Sequence, residues 1–138
     1  MSGFVDKTTD SLQKALDLLQ VRQNITTANI ANADTPGYKA KKVDFEDSLA
    51  RALDLDGLRH LETTDPLHLP SDSGRLFNVE PDVYDNPEAN LNNDGNTVDM
   101  EKEMAVLTEN SIRYKTVTEL IKKKLGALKY AISSGGGR

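Results

Sequence analysis

The feature that most constrains this chain is an apolar stripe in its last third. From Met100 onward the stripe advances in strict alternating steps of four and three, the heptad spacing of a helix that packs along one side. All but two of its positions are apolar or aromatic: Met100, Met104, Leu107, Ser111, Tyr114, Thr118, Ile121, Leu125, Leu128 and Ile132. The stripe predicts a helix that begins at about Thr97 and runs for roughly 50 Å.

A second, weaker stripe of the same spacing lies between about Asp6 and Ala33. It turns polar in its middle, and its positions are Leu12, Leu16, Leu19, Gln23, Thr26, Ile30 and Ala33. We expect this helix to begin near Thr8 or Asp10, which are good capping residues. It must end before Pro36, because the residue before a proline is pushed out of the α region.

Pro36 and Gly37 follow the first helix and predict a sharp turn. Proline fixes φ at the first central position of a type II turn, and glycine accepts a positive φ at the second. The sequence therefore predicts that the chain leaves the helix through a type II turn.

The segment between the two stripes is rich in proline, asparagine and aspartate. It offers a short helix from Phe45 to about Leu55 and one or two short strands around Leu76 to Val79. With 37% hydrophobic residues and no Trp, the composition favours an elongated molecule over a globule with a large core.

We therefore predict a mainly α chain with two long terminal helices that pair as an antiparallel, coiled-coil-like hairpin or dock on other chains. A mostly irregular middle segment with a short helix and room for a small β element joins them. The predicted divisions are an N-terminal helix in 1–35, a turn and middle segment in 36–96, a C-terminal heptad helix in 97–132 and a flexible tail in 133–138.

Charge and composition exclude several classes of protein. The net charge is −5, which on average repels nucleic acid. There is no Cys, so disulfide and thiol chemistry are excluded. The N-terminus lacks the apolar segment of a cleaved leader, and no run is long enough to span a membrane. Taken alone, these features predict a cytoplasmic protein.

No arrangement of residues points to catalysis. His60 and His68 are eight residues apart without further ligands, whereas a zinc site needs three or four. The carboxylates of Asp44, Glu46 and Asp47 have no nucleophile or oxyanion donor to work with. We expect no enzyme activity, no cofactor, no metal and no small-molecule substrate.

The segment "NLNNDGNTVDME" resembles an EF-hand calcium loop with Asn90 at its first position and Glu101 at its last. However, the first position lacks a carboxylate, and two prolines rule out an entering helix. We interpret the segment as an Asx-rich turn in which Asn96 or Thr97 caps the last helix.

Asn29 and Asn32 lie on one face of the first helix, where asparagine is a poor helix former. In one interpretation Asn32 binds the last carbonyls of the helix and Asn29 is solvated. In the other, both amides bind a neighbouring chain or fold back onto the turn and fix the register, as polar residues do in coiled coils. Spacing alone does not decide between them.

The stretch "ANIANADTPGYK" resembles the N-terminal motif of the flagellar axial proteins, which comprise the rod, hook and hook-associated families. The matching residues are Ala28, Asn29, Ile30, Ala31, Asn32, Ala33, Thr35, Pro36, Gly37 and Tyr38. The short length points to the smaller rod proteins, and residues 63–69 and 96–132 are similar to the proximal rod protein. The resemblance covers nearly the whole chain and is weakest at residues 72–92.

The resemblance implies a structural subunit of the basal-body rod, the drive shaft that crosses the periplasm. Such proteins assemble helically, and their terminal helices form an inner wall layer. The implied assembly motif is Asn29, Asn32, Thr35, Pro36, Gly37 and Tyr38. The implied assembly seam is Leu12, Leu16, Leu19, Ile30, Met104, Leu107, Tyr114, Ile121, Leu125 and Leu128.

The implied partners are other copies of the chain, the adjoining rod protein FlgC, the basal adaptor FliE and the flagellar export apparatus. Export by that route needs no cleaved signal peptide and a chain that unfolds easily. Two other functions stay open on the residues alone. They are a generic coiled-coil interaction module and a calcium-binding protein.

Overall fold

The computed structural model describes residues 7–53, 78–87 and 92–135. In chain order the elements are α1 (Lys7–Ala31), β1 (Lys41–Asp44), α2 (Glu46–Ala52), β2 (Asp82–Asp85) and α3 (Met100–Gly135). The predicted fold class is confirmed, since two long terminal helices enclose a short helix and a small sheet. His60, His68 and residues 63–69 lie outside the described residues.

Helices α1 and α3 pack against each other as an antiparallel pair. The direction follows from two places along the pair. The Asn110 side chain binds the backbone of Leu19, whereas Leu12, nearer the start of α1, lines a cleft with Ile121, further along α3. At 1.5 Å per residue, the 25 residues of α1 and the 36 of α3 correspond to about 37 and 54 Å.

The core that the described residues form is small and lies where the middle segment meets α1. Its buried residues come from α1, β1, the residue that follows β1, and the approach to β2: Leu18, Leu19, Val43, Phe45 and Val79. Ile25, Leu49, Ala52 and Val117 pack around this cluster. The middle segment therefore covers one side of the helical pair.

The small sheet is an antiparallel pair in which Lys41 faces Asp85 and Asp44 faces Asp82. Of the residues around which one or two strands were expected, 76 and 77 lie outside the described residues, and 78 and 79 are not strand. Residues 79–81 are not strand, and β2 begins at Asp82. The charged β1 has one buried side chain, Val43, too weak a pattern to indicate a strand from sequence. Helix α2 begins one residue after Phe45 and ends at Ala52.

The terminal helices have boundaries close to the expected ones. α1 begins at Lys7, and α3 begins at Met100, three residues after Thr97. The interpretation of Asn96 or Thr97 as the cap of α3 is wrong, because Asp99 Oδ1 accepts the Lys102 backbone N–H at 3.2 Å. α3 continues to Gly135, so residues 133–135 of the expected tail are helical.

Within the described ranges, no helix combines the length and the apolar character that crossing a bilayer requires.

Candidate assembly interface

The turn after α1 has the predicted type II form. Gly37 has φ of 73°, and the Tyr38 backbone N–H donates to the Thr35 carbonyl at 3.3 Å across Pro36 and Gly37. A Cβ built on Gly37 would meet no atom within 4 Å. Glycine is therefore required here by its backbone conformation alone and not by lack of space.

Asn29 joins α1 to the strand that follows the turn. Its side chain is 1% exposed. Nδ2 donates to the Lys41 carbonyl at 2.8 Å, and Oδ1 accepts the Lys41 N–H at 3.0 Å. Oδ1 also accepts the Tyr38 hydroxyl at 3.3 Å. Asn29 thus binds the outer edge of β1 as a neighbouring strand would, and it is not solvated.

Asn32 helps to end the helix, as one of the two interpretations held. Its Nδ2 donates to the Ala28 carbonyl at 2.8 Å, and its Oδ1 accepts the Thr35 hydroxyl at 3.2 Å. The two asparagines therefore have different roles. Asn29 fixes the returning strand, and Asn32 satisfies the end of α1.

Asn96, 64 residues further along the chain than Asn32, binds the turn that follows α1. It is fully buried, and its Nδ2 donates to the carbonyls of Asn32, Ala33 and Thr35 at 2.9, 2.9 and 2.7 Å. Its Oδ1 accepts the Val98 N–H at 2.7 Å. These three carbonyls belong to residues that follow Ala31, the last residue of α1, and this one side chain lies within hydrogen-bond distance of all of them.

Backbone contacts extend this arrangement on both sides of Asn96. The Gly37 N–H donates to the Asp94 carbonyl at 3.0 Å, and the Thr97 N–H donates to the Tyr38 carbonyl at 3.0 Å. Gly95 has φ of 81°, and a Cβ there would lie 3.6 Å from Gly37 Cα. We call residues 35–40 and 94–98 together the clasp. It closes the hairpin where α1 ends and α3 begins.

A cluster of charges around Glu46 ties α2 to both long helices. Arg22 donates to the two Glu46 carboxylate oxygens at 2.6 and 2.7 Å and to the Val43 carbonyl at 2.8 Å. Its guanidinium carbon lies 4.3 Å from the centre of the Phe45 ring, a cation–π distance. Arg113 of α3 also donates to Glu46, at 3.1 Å.

These contacts lower the pKa of Glu46 from 4.5 to about 2, chiefly through the Arg22 hydrogen bonds, against the opposing effect of burial. From the sequence, Glu46 was considered only as a catalytic carboxylate and Arg22 was not singled out, because a contact between residues 24 apart gives no periodic signal.

The structure divides the residues of the predicted assembly seam into two groups. Those that are buried or half-buried are Leu12, Leu16, Leu19, Ile30, Leu107, Ile121 and Leu128. Those that are exposed are Met104, Tyr114 and Leu125. Helix α1 covers only one side of the α3 stripe, because the side of α3 that turns toward α1 includes Asn110 and Val117 instead of Ser111 and Thr118.

Asn110 is a buried polar residue that the stripe did not indicate. Its Nδ2 donates to the Leu19 carbonyl at 2.9 Å and to Gln23 Oε1 at 2.8 Å. Its Oδ1 has no hydrogen-bond partner among the described residues. The α1–α3 contact is therefore partly polar, and much of the apolar surface of α3 points elsewhere.

Comparisons with known proteins find a family model and several relatives that match the sequence of this chain. The family model described as "Flagella basal body rod protein" matches residues 10–39, which cover most of α1 and the Pro36–Gly37 turn. The flagellar basal body rod protein FlgB of Cereibacter sphaeroides is 39% identical over 132 residues, which is 96% of this chain and 98% of the relative.

Two further FlgB proteins show that the similarity extends to other bacteria. The protein of Bacillus subtilis is 34% identical and covers 93% of this chain and 95% of the relative. That of Escherichia coli is 32% identical and covers 89% and 91%. The similarity therefore includes both terminal helices and the middle segment.

Proposed function

Because this chain belongs to the FlgB family of flagellar basal body rod proteins, we propose that it builds the rod helically through α1 and α3. It is a structural subunit of the flagellar basal-body rod and not an enzyme, and it assembles with other rod and basal-body components. This function takes the place of the generic coiled-coil module.

The observation that carries the proposed mode of assembly is the exposed apolar surface of α3. Met104, Leu125 and Ile132 are 48, 53 and 59% exposed, and they lie on the part of the heptad stripe that α1 leaves uncovered. We take this row of exposed apolar side chains along one helix as an interaction site. A neighbouring subunit that covers it would add apolar burial to the rod.

The clasp fixes the position of α1 relative to α3 and so determines how this apolar surface of α3 is presented to a neighbouring subunit. Asn29, Asn32, Thr35, Pro36, Gly37 and Tyr38 are all placed around the end of α1, where all of them except Pro36 form hydrogen bonds to the strand or to the 94–98 loop of the same chain. Their proposed contribution to assembly is therefore indirect. They hold α1 and α3 at one relative position, and the two helices then present a single surface to the neighbours.

The proposed partners are other copies of the chain, the adjoining rod protein FlgC, the adaptor FliE and the flagellar export apparatus. The proposed location is the periplasmic part of the basal body, which the chain reaches through that apparatus. Family membership supports this proposal. The small core of the described residues supports it as well, because a segment with few buried apolar residues costs less to unfold for export.

The experiment uses a strain without its own copy of this protein, complemented with the wild-type chain or with Leu125→Asp. Basal bodies are isolated and probed for the chain. We expect wild type to be present in the rod and Leu125→Asp to be absent from it, because the variant places a charge in an apolar contact. Wild-type chain absent from the basal bodies would contradict the proposed function.

A further inference from the structure

The helical pair has one side that the described middle segment leaves uncovered. On the covered side, Arg22 of α1 and Arg113 of α3 reach Glu46, and β1 lines a cleft with Lys102 and Val106. The opposite side of α1 carries exposed residues at helical spacing: Gln13, Asp17, Gln20 and Asn24. The opposite side of α3 carries exposed Met104, Lys115, Lys122 and Leu125. We call this uncovered side the open face.

The two edges of the open face carry opposite charge. On the α3 edge, Lys115 and Lys122 are seven residues apart and exposed. On the α1 edge, Asp10 and Asp17 are also seven residues apart, and Asp17 is exposed. Seven residues of helix span about 10.5 Å, so the two pairs of charges have the same spacing.

The charges also lie at the same heights along the molecule. Asn110 of α3 lies level with the turn of α1 between Leu19 and Gln23, because it binds both residues. Since the helices are antiparallel, each residue further along α3 lies level with a residue one position earlier in α1. Lys115 then lies within about one residue of the level of Asp17, and Lys122 within about one residue of the level of Asp10.

The geometry points to a lateral contact between two copies of this chain, in which the lysine edge of α3 in one copy meets the aspartate edge of α1 in the next. Lys115 pairs with Asp17 and Lys122 with Asp10, at an axial offset of no more than about one helical turn, ~5.4 Å. The contact is heterologous, so it propagates as a ring or helix and does not close as a dimer. This contact deepens, and rests on, the proposed assembly through α1 and α3.

Existing partners do not prevent this contact. Lys122 donates to Glu119 at 3.0 Å, but both side chains are more than 60% exposed. An exposed pair three residues apart contributes little, so Lys122 can exchange Glu119 for an aspartate that becomes buried at the subunit contact.

The test reverses the charge of each edge. One variant carries Asp10→Lys and Asp17→Lys, and the other carries Lys115→Asp and Lys122→Asp. In a strain without the native chain, we expect each variant alone to enter basal bodies about tenfold less than wild type, because like charges then face each other. Expressed together, the two variants should enter nearly as well as wild type, since every lysine edge again meets an aspartate edge. Lys123→Asp, on the side of α3 away from α1, is the control and should enter normally.

A second measurement is independent of the flagellum. The chain contains no Cys, so Asp17→Cys and Lys115→Cys can form a mixed disulfide only between two chains. Equimolar purified variants should form this heterodimer about tenfold faster than Asp17→Cys with Lys123→Cys, because the cross-linking rate follows the population of close approach.

The outcomes separate the two proposals. If the charge-reversed variants enter basal bodies like wild type, the lateral contact is wrong while the rod function stands. The same conclusion follows if both variants fold but their coexpression does not restore entry into basal bodies. If the wild-type chain itself is absent from basal bodies, the rod function is wrong. The cross-linking rates then decide the contact, and equal rates for the two cysteine pairs would overturn it.

Discussion

Replacing Asn96 with alanine should destabilise the whole hairpin, although the residue lies in a loop. The change removes the amide that three carbonyls of the turn after α1 share and the acceptor of the Val98 N–H. Nδ2 has two hydrogens, and each hydrogen bond contributes about 1 kcal/mol net. A carbonyl that stays buried without a donor costs on the order of 1–3 kcal/mol more. We expect a total loss of roughly 2–4 kcal/mol in the free energy of unfolding.

Thermal unfolding followed by circular dichroism at 222 nm measures this loss. For a chain of this size the expected decrease in Tm is about 10 °C. Asn93→Ala is the matched control, because Asn93 is an exposed asparagine of the same loop, and its Tm should change by less than about 2 °C. If Asn96→Ala unfolds within about 2 °C of wild type, the clasp does not stabilise the hairpin and our account of the loop is refuted.

Other positions give sharper tests of single features. Gly37→Val should abolish rod incorporation and motility while Gly37→Asn keeps much of both, because the φ of 73° suits asparagine but not a β-branched residue; equal failure of both variants would exclude the turn as the cause. The pKa of Glu46 is lowered from 4.5 to about 2, so the stability it contributes is present above about pH 4.5 and lost as the pH falls toward 2. Urea titrations of Glu46→Gln should lack that part of the pH dependence, and an unchanged profile would contradict the charge cluster. Leu125→Asp should block rod incorporation far more than Lys123→Asp with little effect on Tm, because both side chains are exposed; equal incorporation would show that the outer stripe is not an interface. Calorimetry should detect no micromolar calcium binding in residues 90–101, and a dissociation constant in that range would restore the EF-hand interpretation.

The helices and the turn could be predicted because their signals are local. The heptad stripe lies within one segment, and the type II turn depends on two adjacent residues, Pro36 and Gly37. The stripe did not indicate which of its sides meets α1. The stripe includes both Leu107 and Leu125. The side of α3 that packs on α1 includes Leu107 together with Asn110, while Leu125 is exposed. Periodicity reports where apolar residues lie on a helix, and a partner helix decides which of them are covered.

The clasp could not be predicted, because its contacts join residues about 60 positions apart along the chain. From sequence, Asn96 fits a loop and the start of the nearest helix, α3. In the structure its amide binds carbonyls of the turn that follows α1, the helix more distant from it in sequence. The side-chain amide of Asn29 likewise binds a strand, β1, whose charged sequence gives no strand pattern.

The uneven distribution of these interactions connects the fold to the proposed function. The closed end of the hairpin is fixed by directional hydrogen bonds, each of which is satisfied in one geometry only. Beyond the clasp, the described residues include a core cluster of five buried apolar side chains, contributed by α1, β1, Phe45 and Val79. The α1–α3 contact contains Asn110 with an unsatisfied Oδ1, so the stability of this described part is modest. Directional bonds determine the relative position of α1 and α3, while the small core of the described residues contributes little to the free energy of unfolding. A rod subunit needs both properties. Its open face must be placed to within about one helical turn to match its neighbour, and the apolar surface that it buries on assembly then supplies stability that the isolated chain lacks.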